Sequence, residues 1–568
     1  MDFSLLHPSG VNVTYKTLPY QAVNDLSIDF ICNALTNEVF EKNSIKNLMT
    51  NITNDERVIK YRRDIFDDLH KHPQLRTDLE QLLSQLGDLR ELEKFQKDTD
   101  ASDLWQLINR LREIDGYVNC ITQIKESLER IDLHSEGLLE LRRIVTDIHD
   151  NSGFPEVKKD ITETLAMAQQ IKSITLGVNL DNLLRPANAG IISLNTFNIT
   201  DSGLLKNFMG KVKQSDELNS NMTFSSMKSF HPQNPSVVKV GMGQMVTGAQ
   251  KDVHSIMTSE APTGSDQLSA SITKTVTAIV KKIVRDTKGV LQKYISISGF
   301  TLVSLVPEIV FYIRWADLIE KIQNKGLTLC KAEVLPTSDR VLFSEGIYNL
   351  KLAIKAANGE KIDIVDNDFE FSDRGRIYIM TGPNRGGKTT FTQAVGIAFL
   401  LAQNGIYVPA KSFRFSPCDN IFTHFPADEN DTVDLGRLGE ESQRIAEIFK
   451  MATDRSILLF NESLATTNVA EGLYIAKDVV KAMKYIGTRT IFNTHMHELA
   501  RNLDELNETS EGTSKVESLV TGVENGARSF KVYIAPPQGV SYARDIAIKY
   551  GVTFEQIKKS IDDSKYFK

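Results

Sequence analysis

Ten consecutive residues, Thr381 to Thr390 (TGPNRGGKTT), have the side chains and spacing to grip a phosphate. Gly382, Gly387, Lys388 and Thr389 spell G-x-x-x-x-G-K-[ST], with Gly386 as an extra glycine inside the pattern. Glycines let backbone N–H groups turn inward around phosphate oxygens, and the start of a helix adds favourable partial charge. Lys388 is expected to reach the β- and γ-phosphates as a point charge, and the Thr389 hydroxyl to sit on Mg²⁺. Glycines alone would mark only a tight strand-to-helix turn, but that turn needs neither the lysine nor the hydroxyl. Pro383, Asn384, Arg385 and Thr390 complete the candidate nucleotide-binding loop.

A second set of chemical groups lies at Ile457 to Ser463 (ILLFNES). An apolar strand that ends in an acid presents its carboxylate at the edge of a sheet, beside the phosphates. Glu462 is the candidate to orient or deprotonate the attacking water. Asn461 precedes it and can accept a hydrogen bond from Mg²⁺-bound water, without the charge that steadies the ion. His495, just past an apolar run at Thr490 to Asn493, is placed to sense the γ-phosphate. Glu462, His495 and Lys388 form the candidate catalytic set, and Thr389 and Asn461 (via water) the candidate metal contacts.

These groups need a sheet to carry them. Ile377 to Met380 reads as a short buried strand before the loop, and Phe391 to Gln403 as the helix after it, stopped by Asn404-Gly405. Further strands at 457–460 and 490–493, with helices near 440–452 and 470–486, predict an α/β domain with a mostly parallel sheet. Tyr348 to Leu352 reads as an alternating strand. Residues 1 to about 210 carry Leu and Ile at helical spacing, as at Leu79, Leu82, Leu83 and Leu86, which predicts a helical bundle or long levers. Around 211–271 the composition shifts to Ser, Gly, Met, Asn and Thr, the mark of loops or an inserted excursion. Helical pattern returns at 272–330, where Lys274, Lys281, Arg285 and Lys288 share one side, either a solvated face or a phosphate-contacting stripe.

The chain has 568 residues, 41% hydrophobic and 24% charged, which suits a globular protein of about two to four domains. A formal net charge of −7 gives no whole-chain support for nucleic-acid binding, which would need a local basic surface. The four cysteines, Cys32, Cys120, Cys330 and Cys418, contain no C-x-x-C pair and read as thiols in a reducing compartment. The amino terminus has no signal-peptide pattern, and the apolar window 295–313 is interrupted by Pro307 and Glu308, so a core helix is expected there. A cytoplasmic protein without membrane contact is the expectation.

Several segments, in order, resemble the MutS family of DNA mismatch-repair and recombination ATPases. The phosphate loop is close to the family's TGPNxGGKST. IVDNDFEF (364–371) resembles its asparagine-containing element, which places Asn367 against the adenine. The stretch 421–449 looks like the part holding the ABC-type signature loop, NESLATTNVAEGLYIA (461–476) the Walker B region, IFNTHMHELA (491–500) the T-H-x-x-E-L switch, and 536–552 the closing segment. More weakly, VIKYRRDIFDDL (58–69) resembles the entry to the family's core and lever helices.

The resemblance implies an α/β P-loop NTPase (ABC-type ATPase) domain at 341–568. It would be preceded at 1–340 by a mostly α-helical lever/core domain with a reduced clamp or excursion near 211–271. It also implies ATP with Mg²⁺, duplex or branched DNA, and a homodimer or a heterodimer with another MutS-like subunit. The function implied is a DNA-clamping ATPase of mismatch repair or recombination, the alternative being an ATP-gated structural protein with weak hydrolysis and no DNA binding. The chain starts where that core starts and shows no F-x-E wedge motif ahead of it, so little mismatch discrimination is expected. Departures from the family pattern are Arg385 for methionine, Asn461 for aspartate, Gly439-Glu440-Glu441 for the signature G-x-S, and Tyr348-Asn349 for a His-Pro pair.

Overall fold

A computed structural model describes residues 3–83, 104–150, 153–170, 173–180, 182, 186–195, 302–425, 436–464, 469–508, 512, 514–524, 527–537, 548 and 550–562. The 211–271 stretch, the basic positions 274–288, part of the 421–449 stretch and most of 536–552 lie outside these residues. Contacts divide the chain into two compact units, one made of residues 1–87, 120–149 and 300–568, the other of 88–119 and 150–299. The first unit therefore runs across position 340, where the sequence pattern changes from helical to alternating.

The amino-terminal part is helical, with α1 (Tyr20–Asp25), α2 (Ile28–Leu35), α3 (Val39–Thr50) and α4 (Glu56–Lys71). Helix α5 (73–83), α6 (Leu104–Glu129), α7 (Glu136–His149) and α8 (Gly153–Gln170) follow. A ribbon of β1 (Lys16–Thr17) and β2 (Asn51–Ile52) lies among them, and a hairpin of β3 (Ser173–Leu180) and β4 (Pro186–Asn195) belongs to the second unit. Helix α4 starts at Asp55, whose carboxylate accepts from the N–H groups of Arg57 and Val58 at 2.9 and 3.2 Å, so two orphan donors of the first turn are satisfied. It buries Val58, Ile59, Ile65, Phe66 and Leu69, the stripe that its three- and four-residue spacing dictates.

Of the apolar window 295–313 expected as a core helix, the described part passes through a 3-10 turn (Leu302–Leu305) into α9 (Val306–Gln323), with Phe311, Tyr312, Trp315 and Ile319 fully buried. Its Glu308 accepts from Ser4 Oγ (2.9 Å) and Leu5 N (2.6 Å), while Tyr312 donates to Leu5 O (2.8 Å). The amino-terminal strap is thereby fixed to a helix three hundred residues away. Burial raises the Glu308 carboxyl to about 6.

The main sheet has six strands in the order β10 (Ile421–His424), β11 (Ile457–Asn461), β12 (Arg489–Asn493), β8 (Ile377–Thr381), β13 (Val516–Glu524) and β14 (Ala527–Ile534). The first five are mutually parallel and β14 pairs antiparallel to β13 at the edge. Every residue of β8, β10, β11 and β12 is buried, as a sheet covered on both faces requires. A second sheet, in the order β5 (Glu333–Val334), β9 (Ser412–Phe415), β6 (Leu342–Ile347) and β7 (Asn367–Phe371), stands beside it.

One expectation fails: Tyr348 to Leu352 is not a strand. Asn349 caps α10 (Leu350–Ala357), its side chain accepting from Lys351 N at 2.8 Å. Leu350, Ala353, Ile354 and Ala357 bury a helical stripe, and a five-residue window was too short to tell that period from alternation.

Helix α11 (Lys388–Gln403) lies against the sheet, close enough that a Cβ on Gly396 would come within 2.6 Å of Leu459 and 2.7 Å of Leu26. On the opposite face, α12 (Gly436–Met451) and α13 (Val469–Ile486) supply Ile445, Val480 and Met483 to a cluster with Ile377, Ile379, Leu458, Phe460 and Phe492. The two layers hold the carboxyl ends of β8, β11 and β12 side by side, which is where ligands bind in such sheets.

Candidate functional site

The loop from β8 to α11 is built by its own bonds. Gly386 N donates to Pro383 O at 3.0 Å, and Phe391 N donates to Gly387 O at 2.9 Å as the first bond of the helix. The N–H groups of Lys388, Thr389 and Thr390 come before that bond, so they remain as donors at the positive end of the helix. Gly382 and Gly387 have φ of +145° and +90°, values that L side chains rarely adopt. A side chain at Gly382 would also run into Thr521 of β13, and a Cβ at Gly386 would lie 2.8 Å from Pro383 O.

A cavity of about 430 Å³ opens against this loop, within the range of small-molecule sites. Residues 385–390, Asn367 and Glu462 all line it. Gly382, Pro383 and Asn384 form the upstream half of the loop, outside that lining. Lys388 is 4% exposed, and its ammonium donates to Gly382 O (3.1 Å) and Pro383 O (3.2 Å). Burial lowers its pKa, while the Glu462 charge opposes that shift.

The carboxyl ends of β11 and β12 face this loop. Glu462 Oε1 pairs with His495 Nε2 at 2.8 Å, so two of the sequence-derived catalytic candidates meet. That hydrogen bond, ahead of the opposing effect of burial, holds the Glu462 carboxyl below its usual range. Glu462 has φ +53° and Leu464 φ +62°, a backbone that non-glycine residues adopt at a cost of about 1–2 kcal/mol each. Such a turn is kept only where its surroundings fix it. The Leu464 N–H donates to Glu441 Oε2 at 2.6 Å, and Ser463 Oγ donates to His424 O at 3.0 Å. The segment Gly439-Glu440-Glu441, expected in a signature loop, lies within α12, where Glu441 anchors the turn after the strand.

Thr389 and Asn461, expected as metal contacts, bond to each other: Thr389 Oγ1 donates to Asn461 Oδ1 at 2.8 Å. Asn493 Nδ2, a partner that sequence reading missed, donates to the same oxygen. The amide oxygen has two lone pairs and both are taken. Mg²⁺ favours one or two carboxylates together with phosphates and water. A hydroxyl and a neutral amide that already share a bond do not supply the carboxylate that a protein-held Mg²⁺ site uses.

Asn367, expected against an adenine, lines the cavity and also bonds to β14. Its Oδ1 accepts from Val532 N at 2.7 Å and its Nδ2 donates to Phe530 O at 3.4 Å, so the side chain holds β14 against β7. Phe530, also missed, lines the cavity at 44% exposure with φ +56°, and its ring would lie 3.2 Å from a Cβ on Gly387. Asn349 likewise ties α10 to the loop helix by donating to Thr390 O at 2.7 Å. An Asn ahead of an apolar helical run is a cap signal that the sequence did carry. Nothing in the sequence pairs Phe530 with a loop about 140 residues earlier in the chain. Asn367→Ala is expected to lower stability by about 1–3 kcal/mol, because the buried Val532 N–H loses its acceptor. Urea unfolding measures this.

A profile of MutS domain V matches residues 378–540, and a profile of the MutS2 N-terminal domain matches residues 54–325. The chain is 31% identical over 203 residues to a DNA mismatch repair protein MutS of Chlorobium chlorochromatii, covering 36% of this chain and 23% of that protein. It is 30% identical over 235 residues to one of Clostridium kluyveri (41% and 26%) and 37% identical over 137 residues to one of Chlorobium limicola (24% and 16%). The chain spans about a quarter of the length of the first two of these relatives. No helix among the described residues is long and apolar enough to cross a membrane.

Proposed function

From the premise that the chain belongs to the MutS family, we propose that it binds ATP at the Gly382 to Thr390 loop and hydrolyses it to control a grip on DNA. In this reading residues 341–568 are the ATPase and residues 1–340 a helical core and lever. The observation that carries it is the Glu462–His495 pair at the carboxyl ends of β11 and β12, with Glu462 lining the cavity that Lys388 and residues 385–390 also line. The free N–H groups of the loop and Lys388 bind the phosphates. Glu462 accepts the hydrogen bond of the attacking water and aligns it with the γ-phosphate, and His495 fixes the carboxylate and senses that phosphate. Phe530 offers an aromatic face for the base at the far side of the loop.

Steady-state ATP hydrolysis with and without DNA tests this. Binding to homoduplex, mismatched and four-way-junction DNA at several salt concentrations completes the test, since the salt slope counts phosphate contacts. One observation favours a second reading, an ATP-gated structural protein with weak hydrolysis and no DNA binding: Asn461 puts a neutral amide where a carboxylate would steady the reaction. Turnover indistinguishable from zero, with tight ATP binding and no DNA binding, would select it.

Two further outcomes are expected. Because His495 holds Glu462 low, removing it in His495→Ala leaves burial to raise the carboxyl. The acid limb of the pH–rate profile, where the carboxylate is protonated as pH falls, then moves to higher pH. A limb in the same place in wild type and variant would show that Glu462 does not govern it. The second concerns assembly, since a phosphate loop covers ATP from one side only. ATP, more than ADP, is expected to drive the chain into a dimer, or to tighten one, because a ligand held by the closed dimer stabilises it by mass action. Sedimentation with ATP, ADP and no nucleotide measures this, and a monomer in all three would remove the composite site.

A further inference from the structure

We infer that this site takes its nucleotide with little dependence on a divalent cation, because the side chains around the loop replace a carboxylate-anchored metal with a second cation, Arg385. The inference rests on the nucleotide reading above and concerns how that site neutralises its ligand. The strand-end residue on the metal side, Asn461, is uncharged. Asn461 Oδ1 accepts from Thr389 Oγ1 at 2.8 Å and from Asn493 Nδ2, which ties the half-buried Thr389 to two buried, neutral amides. To take part in holding a metal, Asn461 and Thr389 would have to give up their mutual bond and gain no charge interaction in return. The acid next to them in the chain, Glu462, has one oxygen on His495 at 2.8 Å and keeps the other for the attacking water.

The phosphate side, by contrast, carries two cations. Lys388 Nζ rests on two loop carbonyls, a short swing from any phosphate held by the helix N–H groups. Arg385 lines the same cavity, is exposed, and forms no ion pair among the described residues. Its backbone is left-handed, at φ +59°, a conformation with a cost for any side chain but glycine. The tip of the loop is thus shaped around a residue that must bear this strain, and its guanidinium fork matches paired phosphate oxygens. An arginine stays charged at any working pH, so the positive charge comes with the fold and not with an ion taken from solution.

The experiment is calorimetric titration of the full chain with ATP, in excess Mg²⁺ and in EDTA. For wild type the two dissociation constants are expected to differ by less than tenfold. Arg385→Met is expected to weaken binding in EDTA by tenfold or more and binding in Mg²⁺ by less. Asn461→Asp, which returns the carboxylate, is expected to bind at least tenfold more tightly in Mg²⁺ than in EDTA. A wild-type loss of tenfold or more in EDTA overturns the inference while leaving the nucleotide site standing. So does an Arg385→Met protein that keeps wild-type affinity in EDTA, or an Asn461→Asp protein with no gain from Mg²⁺. No ATP binding in either medium removes the nucleotide site itself.

Discussion

Lys388→Ala is expected to weaken ATP binding by at least a hundredfold. The ammonium is buried, and a charge-assisted hydrogen bond to phosphate is worth about 1.5–3 kcal/mol. Two such bonds to neighbouring phosphates amount to roughly 3–6 kcal/mol, and each 1.4 kcal/mol is tenfold in affinity. Arg385 cannot make up the loss, because it reaches the cavity from the exposed tip of the loop and not from beneath it. The variant also loses the two bonds to Gly382 O and Pro383 O that brace the loop. Calorimetry gives the affinity, and far-UV circular dichroism checks that the sheet is intact. Near-wild-type affinity in a folded variant would sink the assignment of the loop.

Glu462→Gln is expected to keep ATP binding and to cut turnover by about a hundredfold, the low end of the usual 10²–10⁴ for a general base. The low end follows from its environment. A carboxylate that His495 and Lys388 hold below its usual range is a poor proton acceptor, so Glu462 acts chiefly by orienting water and Gln keeps part of that function. The substitution leaves the His495 ring facing an amide that can still hydrogen-bond to it. Single-turnover hydrolysis, with ATP affinity measured in parallel, separates the chemical step from binding. Equal rates in both proteins would remove Glu462 from the chemistry.

The parts of this site that could be read from the sequence are those fixed by local chain geometry. The G-x-x-x-x-G-K-[ST] spacing, the apolar runs at 377–380, 457–460 and 490–493, and the helices after them each lie within a few residues of the feature they predict. Phe530, Thr521 and Asn493 were missed because their roles depend on which strands are neighbours. The order β12-β8-β13-β14 sets a strand from 489–493 on one side of the loop strand and a hairpin from 516–534 on the other. No periodicity records that order. Asn367 has a structural tie that its sequence context did not show, since it lines the cavity and also bonds to β14. The acidic balance of the chain was likewise a poor guide, since it says nothing of the two cations gathered at one cavity.

The fastening of the amino-terminal strap and helices to distant residues has a consequence for biosynthesis. Ser4 and Glu308 are 304 positions apart, and α11 closes on the early helices through Gln403 Nε2 to Thr53 O (2.9 Å) and Asn404 Nδ2 to Met49 O (3.1 Å). At about 5–20 residues per second, roughly 300 residues take about 15–60 s to leave a ribosome. For that time the faces of α2 and α4 that carry Ile28, Ile31, Ile59 and Phe66, all fully buried in the finished unit, lack the cover that α9 supplies. The nascent chain is therefore a natural client for a holding chaperone. A fragment cut at 340 to isolate the phosphate loop would keep Gln403 and Asn404 with their bonds to Cys418 O and Leu400 O, but lose those to Thr53 O and Met49 O.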